Sequence, residues 1–476
     1  MQTFLNTVDG RPQPAAATFD SHNPASGEVL GQVARSTAAQ VDAAVAAARA
    51  AQPAWAALSA DSRQAALLRA IDALSQQAEA LATWVTREQG KPLGGVGPGQ
   101  VPGARFELWG CEAWARTSTL LDLPDEVVFE DASRRDVLQR RPLGVIGAVA
   151  PWNWPLLIAI WQIIPALRAG NTVVIKPSEL TSICSLEMVR VLAQALPPGV
   201  LNSVSGDGAV GGWLVEHPDL DKILFTGSGA TGARIAATAA RTLTPTTLEL
   251  GGNDAAIVLP DADPQAIAMD LFWGAFLNMG QTCACIKRLY VPDALHDAVV
   301  DALAALIRAM PMGDGMAPGT VMGPLQNRMQ FDKVRALVED AKAAGATIVC
   351  GGAPRPGAGW FYPLTLVTDI ADGTRLVDEE QFGPVLPVIR YRSVDAAVAS
   401  ANRLDVGLGA SVWSGDPAAA RAVAERLQAG TVWINQHGTI HPMVPFGGSK
   451  GSGWGVEFGL EGLKSLTQPR VISLKK

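Results

Sequence analysis

From residue 143 onward, short apolar runs alternate with stretches of helical spacing, and this alternation restricts the fold more than any other feature of the chain. Apolar runs of strand length fall at 144–150, 172–175, 201–204, 222–225 and 247–250, with helical segments near 154–167, 180–196, 209–216 and 229–240 between them. Successive strands joined by helical crossovers pair in parallel, and a parallel sheet needs both faces covered. Such sheets bind ligands beyond the C-terminal ends of their strands. Much of the glycine and polar punctuation lies there, at 151–155, 176–179, 227–232 and 251–254. A second alternating region, 255–434, with helices at 295–310 and 332–344 and a strand at 347–350, predicts another α/β domain. The tail, 466–476, reads as one late strand.

Ahead of this region the chain is extended and turn-rich to about Arg35. A helix is predicted from Thr37, where Gln40 completes a capping box and Val41, Val45 and Ala48 share a face. Pro53 is expected to stop it. A second helix is expected over 62–90, with Leu67, Leu68, Ile71, Leu74 and Leu81 inward, before the glycine- and proline-rich run 90–103 breaks the pattern. A chain of 476 residues is too long for one core and suits two or three domains.

Composition narrows the function. A net charge of −7 without a basic block argues against nucleic acid as the main partner. No apolar run reaches the ~18–20 residues of a membrane span; the longest, 156–167, reads as a buried helix. The first ten residues lack a cationic region followed by an apolar run, so no signal peptide is expected. Five cysteines, an odd number without paired spacing, point to free thiols in a reducing, cytoplasmic setting. Cys283 and Cys285 stand two apart with no further Cys or His at ligand spacing, so no metal site is expected.

Four local patterns carry chemistry. Gly227-Ser-Gly-Ala-Thr-Gly232 follows a strand and fits G-x-G-x-x-G, with Glu249 about 20 residues on. It reads either as a dinucleotide fingerprint with Glu249 on the ribose or as a tight strand-to-helix turn, and it follows the fourth strand of the series rather than the first. Asn278-Met-Gly-Gln-Thr-Cys-Ala-Cys285 sets a cysteine among small residues and amides, as an accessible nucleophile or as a buried structural thiol. No histidine lies near Cys283 in sequence and no neighbouring lysine obviously lowers its pKa, which speaks against a Cys/His hydrolase. Glu249 in Leu248-Glu-Leu-Gly-Gly252 is either a buried acid raised toward general-base work or a cap on the next turn. Asn153 in Pro151-Trp-Asn-Trp-Pro155 presents an amide to an oxyanion or forms a turn.

Taken together and in order, these blocks resemble the aldehyde dehydrogenase superfamily along essentially the whole chain. Matching blocks begin with Asn23-Pro-Ala-Ser-Gly-Glu28, Glu88-Gln-Gly-Lys-Pro92, Pro151-Trp-Asn-Trp-Pro155, Lys176-Pro-Ser-Glu179 and Phe225-Thr-Gly-Ser-Gly229. They continue with Leu248-Glu-Leu-Gly-Gly252, Gly280-Gln-Thr-Cys283, Glu379-Glu-Gln-Phe-Gly-Pro384 and Pro445-Phe-Gly-Gly-Ser-Lys450. The resemblance implies an α/β fold: a Rossmann-like parallel-sheet cofactor domain (1–119 and 142–250), a second α/β catalytic domain (251–450) and a small β oligomerisation element (120–141 and 464–476). It makes Cys283 the nucleophile, Glu249 the base for hydrolysis and Asn153 the oxyanion amide, completed by the backbone N–H of Cys283. Trp152, Lys176, Ser178, Glu179, Gly227, Ser228, Glu380 and Phe382 would bind the cofactor. This moves Glu249 off the ribose and puts Glu179 there. NAD is the implied cofactor, with NADP weaker because its 2′-phosphate would face Glu179; the positive nicotinamide would favour the thiolate.

An aldehyde tunnel would be lined by Trp154, Leu157, Ile158, Trp161, Leu277, Thr282, Ala284, Ile440 and Phe446. That lining is apolar except for Thr282, so hydrophobic aldehydes, medium-chain aliphatic or aromatic, are expected. A CoA-acylating relative, which needs no hydrolytic base, a semialdehyde or aminoaldehyde enzyme and a non-catalytic protein of the same fold are the alternatives. The sequence departs from the common family pattern at Cys285-Ile-Lys-Arg288, where small residues usually lead to the arginine, at Asn253-Asp254, and in the glycine- and proline-rich stretch 94–103. The tail and the 120–141 segment would bridge subunits of a homodimer or homotetramer.

Overall fold

The computed structural model describes residues 1–97 and 99–476. Its first large sheet contains the five predicted strands in the spatial order third, second, first, fourth, fifth: Leu201–Ser203, Thr172–Lys176, Val145–Val149, Lys222–Thr226 and Thr246–Glu249. All five are parallel, and Gly453–Trp454 is added antiparallel at the Glu249 edge. Alternation along the strands sends neighbours to opposite faces. Ile146, Val173 and Leu224 join the large core under helices Ala60–Gln76, Ala104–Leu120 and Pro155–Arg168, whereas Val145, Val174 and Ile223 meet Val41, Val45, Leu214 and Ile235 on the other side. Both faces are covered, as a parallel sheet requires.

This strand order reverses direction between the first and fourth strands, which is where an open α/β sheet leaves a crevice. The segments leaving those two strands are 150–154 and 227–228, so the topology brings the Asn153 loop and the Ser228 turn to one edge. A second, seven-stranded sheet is parallel except at its Thr347–Cys350 edge and holds Asp254–Val258 and Ile286–Pro292 side by side near its middle. A third sheet pairs Thr467–Lys475 antiparallel with Arg134–Pro142, and that strand with Glu126–Glu130.

Two helix predictions need correction. The first helix, Ala38–Ala57, has the predicted Thr37–Gln40 capping box but continues through Pro53. Proline removes one donor; four residues of helix follow it, pinned by buried Trp55, whose indole N–H donates to Leu167 O at 2.9 Å. The helix expected over 62–90 is two helices, Ala60–Gln76 and Ala78–Gln89, broken at Gln77 and ended by left-handed Gly90. Apolar spacing continues across the break, so periodicity alone does not reveal it. Among the described residues of 94–103 there is no helix; Gly95 and Pro102 form an isolated bridge. No described helix is long and apolar enough to cross a membrane.

Candidate active site

The loop carrying Cys283 joins helix Pro264–Phe276 to strand Ile286–Pro292 and is held in an unusual backbone conformation. Asn278, Met279 and Gly280 all have positive φ, at 53°, 60° and 66°. Such residues persist only where the surroundings fix them. Here the Asn278 amide donates to Asn153 O at 2.9 Å, and the Gln281 side chain donates to Asn278 O and accepts from Gln326 N. A Cβ on Gly280 would stand 2.3 Å from Gly383 O, so the loop can approach there only as glycine. Cys283 ends up partly exposed, while Cys285 is buried and acts as packing.

Asn153 reaches this loop from the first sheet. Its side-chain amide donates to Gln281 O at 3.0 Å, two residues before the thiol, leaving a second amide hydrogen free. Beneath it, buried Lys91 pairs with Glu107 at 2.6 Å, donates to Asn153 O at 3.0 Å and sits 3.6 Å over the Trp154 ring. Glu107 in turn accepts the backbone N–H groups of Leu156 and Leu157 at the start of the next helix. Neither Lys91 nor Glu107 is evident from the sequence as a support of this loop.

Glu249 ends the fifth strand, opposite Gly453, and is 5% exposed. Its Oε1 has no hydrogen-bond partner, so it does not cap the following turn. Burial, reinforced by the charge of Glu457, raises its carboxyl well above the ordinary range, and its own charge raises the Cys283 thiol. Glu457 is itself buried and pushed up to about 7, held down somewhat by Lys222. Sequence reasoning missed Glu457, which lies 208 residues from Glu249; its one signal was an acid set in the otherwise apolar Gly455-Val-Glu-Phe458.

The thiol also has a cation that was not anticipated. Lys287 folds back from strand Ile286–Pro292, donating to the carbonyls of Thr282 at 2.8 Å and Cys283 at 3.2 Å and pairing with Glu380 Oε1 at 3.3 Å. Burial pushes the Cys283 thiol up to about 12; Lys287 opposes this, and Glu249, Asp254 and Glu380 add to it. The strand turns this lysine, four residues on, back toward the thiol, a neighbour the sequence did not suggest; its charge does not offset burial, so the expectation that no lysine brings the thiol pKa down stands. No histidine is among the groups acting on this thiol; His437 Nδ1 bonds the Ser411 hydroxyl, and its Nε2 lies 3.4 Å from Asp254 without a hydrogen bond.

The cofactor candidates lie at strand ends. Buried Lys176 closes the second strand and pairs at 3.1 Å with Glu179, whose side chain is 43% exposed, while Ser178 caps the short helical turn. Ser228 caps helix Gly229–Ala239, and both Ser228 and Gly229 face solvent. Gly227 precedes them, partly buried. Glu380 also accepts from Gly252 N, and a Cβ on Gly251 would come 2.3 Å from its Oε2. Phe382, at positive φ, meets Trp152 edge to face at 5.4 Å. An exposed carboxylate fixed by a lysine, an open helix N-terminus and a tethered second carboxylate fit the two riboses and the pyrophosphate of a dinucleotide.

Eight of the nine tunnel candidates belong to one hydrophobic core, and the ninth, Thr282, is bonded to it. Trp154, Leu157, Ile158, Ala284 and Phe446 are buried in the core against which Cys283, Trp161, Leu277 and Ile440 pack, and Thr282 accepts the Trp154 indole N–H at 2.9 Å. Trp114 and Phe458, not anticipated, complete an aromatic group with Trp161 and Phe446 at centroid distances of 4.7–5.9 Å.

The model of the aldehyde dehydrogenase family matches residues 12–472. The chain belongs to the aldehyde dehydrogenase family. It is 39% identical to the geranial dehydrogenase of Castellaniella defragrans over 461 residues, covering 95% of this chain and 94% of that one. It is 37% identical to the betaine aldehyde dehydrogenase of Cereibacter sphaeroides over 470 residues, covering 98% and 96%. The NAD+ complex of the aldehyde dehydrogenase of Bacillus cereus superposes with a TM-score of 0.95 at 33% identity, covering 100% of this chain and 97% of that one. This aldehyde dehydrogenase is therefore α/β throughout its two large sheets, as the strand-helix alternation predicts.

Proposed function

We propose that this enzyme oxidises a hydrophobic aldehyde to the carboxylic acid with NAD, through a thiohemiacetal and a thioester on Cys283. The buried carboxyl of Glu249, unpartnered at one oxygen and acting on the Cys283 thiol, carries the reading. Lys176, Ser178, Glu179, Gly227, Ser228, Glu380, Phe382 and Trp152 would hold the dinucleotide. Its chemistry is to accept the hydride that the thiohemiacetal carbon loses, leaving the thioester. Attack by the Cys283 thiolate makes the aldehyde oxygen negative; the free amide hydrogen of Asn153 and the Cys283 backbone N–H stabilise it, each by about 3 kcal/mol. Glu249 then takes a proton from water as that water attacks the thioester, releasing acid and free thiol. A base suited to hydrolysis favours acid release over acyl transfer to CoA.

The names of the relatives point to both an apolar and a cationic aldehyde, so the lining decides. Trp154, Leu157, Trp161, Leu277, Ile440 and Phe446 offer no charge, which favours medium-chain or aromatic aldehydes. Glu179 favours NAD, with NADP the weaker cofactor. Following NADH absorbance across hexanal, benzaldehyde, succinic semialdehyde and betaine aldehyde, with both cofactors, tests this; a tenfold advantage in kcat/KM for either charged aldehyde overturns the substrate reading. Cys283→Ala is expected to abolish turnover. Glu249→Gln should keep a burst of NADH and slow the steady state by about 10²–10⁴-fold.

We also assign 1–119 and 142–250 to cofactor binding, 251–450 to catalysis, and 120–141 with 464–476 to subunit contact. Exposed Val127, Val128, Phe129, Val471, Ile472 and Leu474 on the third sheet support a homodimer or homotetramer. Five unpaired thiols support a cytoplasmic setting.

A further inference from the structure

Strand Ile286–Pro292 is buried along its whole length, yet it carries two consecutive cations. Alternation sends them to opposite faces. Arg288 is accounted for by carbonyls of Asn253, Ser400 and Ala401 and by the Tyr290 hydroxyl. Lys287 points the other way, is 1% exposed, and gives its ammonium to the Thr282 and Cys283 carbonyls and to Glu380. It also lies 5.5 Å from the centre of the Phe382 ring. A buried ammonium is tolerated only when paired and hydrogen-bonded, and here all its polar partners belong either to the nucleophile loop or to the cofactor side. Burial works against its charge, but Glu380, Cys285, Asp254 and Cys283 outweigh that and hold it protonated above the ordinary lysine range.

We propose that Lys287 is a positioning residue which ties the carbonyls at the nucleophile to the carboxylate of Glu380, keeping Cys283 in place and reactive before the dinucleotide arrives. This rests on the reading of Cys283 as the nucleophile. One ammonium then does two things. It fixes the loop through two carbonyls, and it sets a permanent positive charge beside a thiol that otherwise faces Glu249, Asp254 and Glu380, all negative when ionised. The tether to Glu380 also means that a movement of this carboxylate is felt at the thiol.

The test is the pH profile of iodoacetamide alkylation, measured on the full chain without dinucleotide in a Cys285→Ala background and read by mass on the Cys283 peptide. Removing a nearby positive charge raises a thiol pKa, so Lys287→Met should move the midpoint to higher pH. Near neutral pH, alkylation should slow by roughly three- to tenfold for every pH unit by which the midpoint rises, because the scarcer thiolate is also the more nucleophilic. Lys287→Arg should bring the midpoint part of the way back. Glu380→Gln removes a negative charge and should move the midpoint to lower pH. A purely structural lysine would lower the rate equally at every pH with the midpoint unmoved, and that result, in a variant whose melting temperature matches the parent, overturns the proposal. Turnover retained by Cys283→Ala would instead remove the reading on which it rests, so the two failures are separable.

Discussion

Beside Cys283, Lys287 and Glu380 form a polar flank, tied together and to the loop by individual hydrogen bonds; the core against which Cys283 packs holds an aromatic flank of Trp114, Trp161, Phe446 and Phe458, whose rings make no side-chain hydrogen bond. The polar flank depends on a few atoms at fixed distances, so losing one donor leaves buried partners unsatisfied. The aromatic flank spreads its energy over many weak contacts and adapts when one ring is trimmed. The first flank should therefore govern rate and the second preference among aldehydes.

The sharpest way to break this comparison is Asn153→Ala, which removes the side-chain amide bonded to Gln281 O together with its second, unbonded hydrogen. It is expected to lower kcat by about 10²–10³-fold, with little change in which aldehyde is preferred. Steady-state assays on hexanal and benzaldehyde check it; a change in preference without a fall in kcat would place Asn153 with the aromatic flank instead. Trimming that flank should do the reverse. Trp161→Leu is expected to cost benzaldehyde about 1–2 kcal/mol in kcat/KM relative to acetaldehyde while leaving the acetaldehyde kcat close to the parent. An equal loss for both aldehydes would mean that Trp161 supports the nucleophile rather than the substrate.

The same division separates what the sequence discloses from what it hides. Local signals read well: the Thr37–Gln40 capping box, the five strands of the first sheet, and an acid at an apolar strand end that burial was expected to raise. Each depends on neighbours within a turn or a strand. What escaped notice depends on contacts between distant segments. Lys287 looked like an intrusion into a run of small residues, and only the strand's alternation turns it toward Cys283. Glu457 approaches Glu249 because Gly453–Trp454 adds to the sheet edge after the chain has crossed the second sheet. Trp114 comes from the helix before the first sheet, and Phe458 from a left-handed position near the tail. Pro53 failed as a stop for a like reason: the packing of Trp55 on Leu167 outweighs a local rule.

The smallest expected effect bears on the one group that the two flanks do not explain. Glu249 and Glu457 are two buried carboxyls whose charges oppose one another, so they titrate as a pair rather than as independent sites. The charge of Glu457 raises Glu249, and Glu457 is itself held down by Lys222, whose ammonium burial lowers to about 8. In the proposed mechanism hydrolysis needs Glu249 unprotonated, so the acid limb of the steady-state rate should lie above the ordinary carboxylate range. Glu457→Gln removes a like charge, which lowers the Glu249 pKa and moves that limb to lower pH. Just below the parent midpoint the variant is then faster, and well above it the two enzymes converge. The NADH burst, which precedes hydrolysis, should keep its parent pH profile. A limb that stays where it was would show that desolvation alone raises Glu249. A limb that moves upward would contradict the like-charge account outright, because removing a neighbouring negative charge cannot raise a carboxyl pKa.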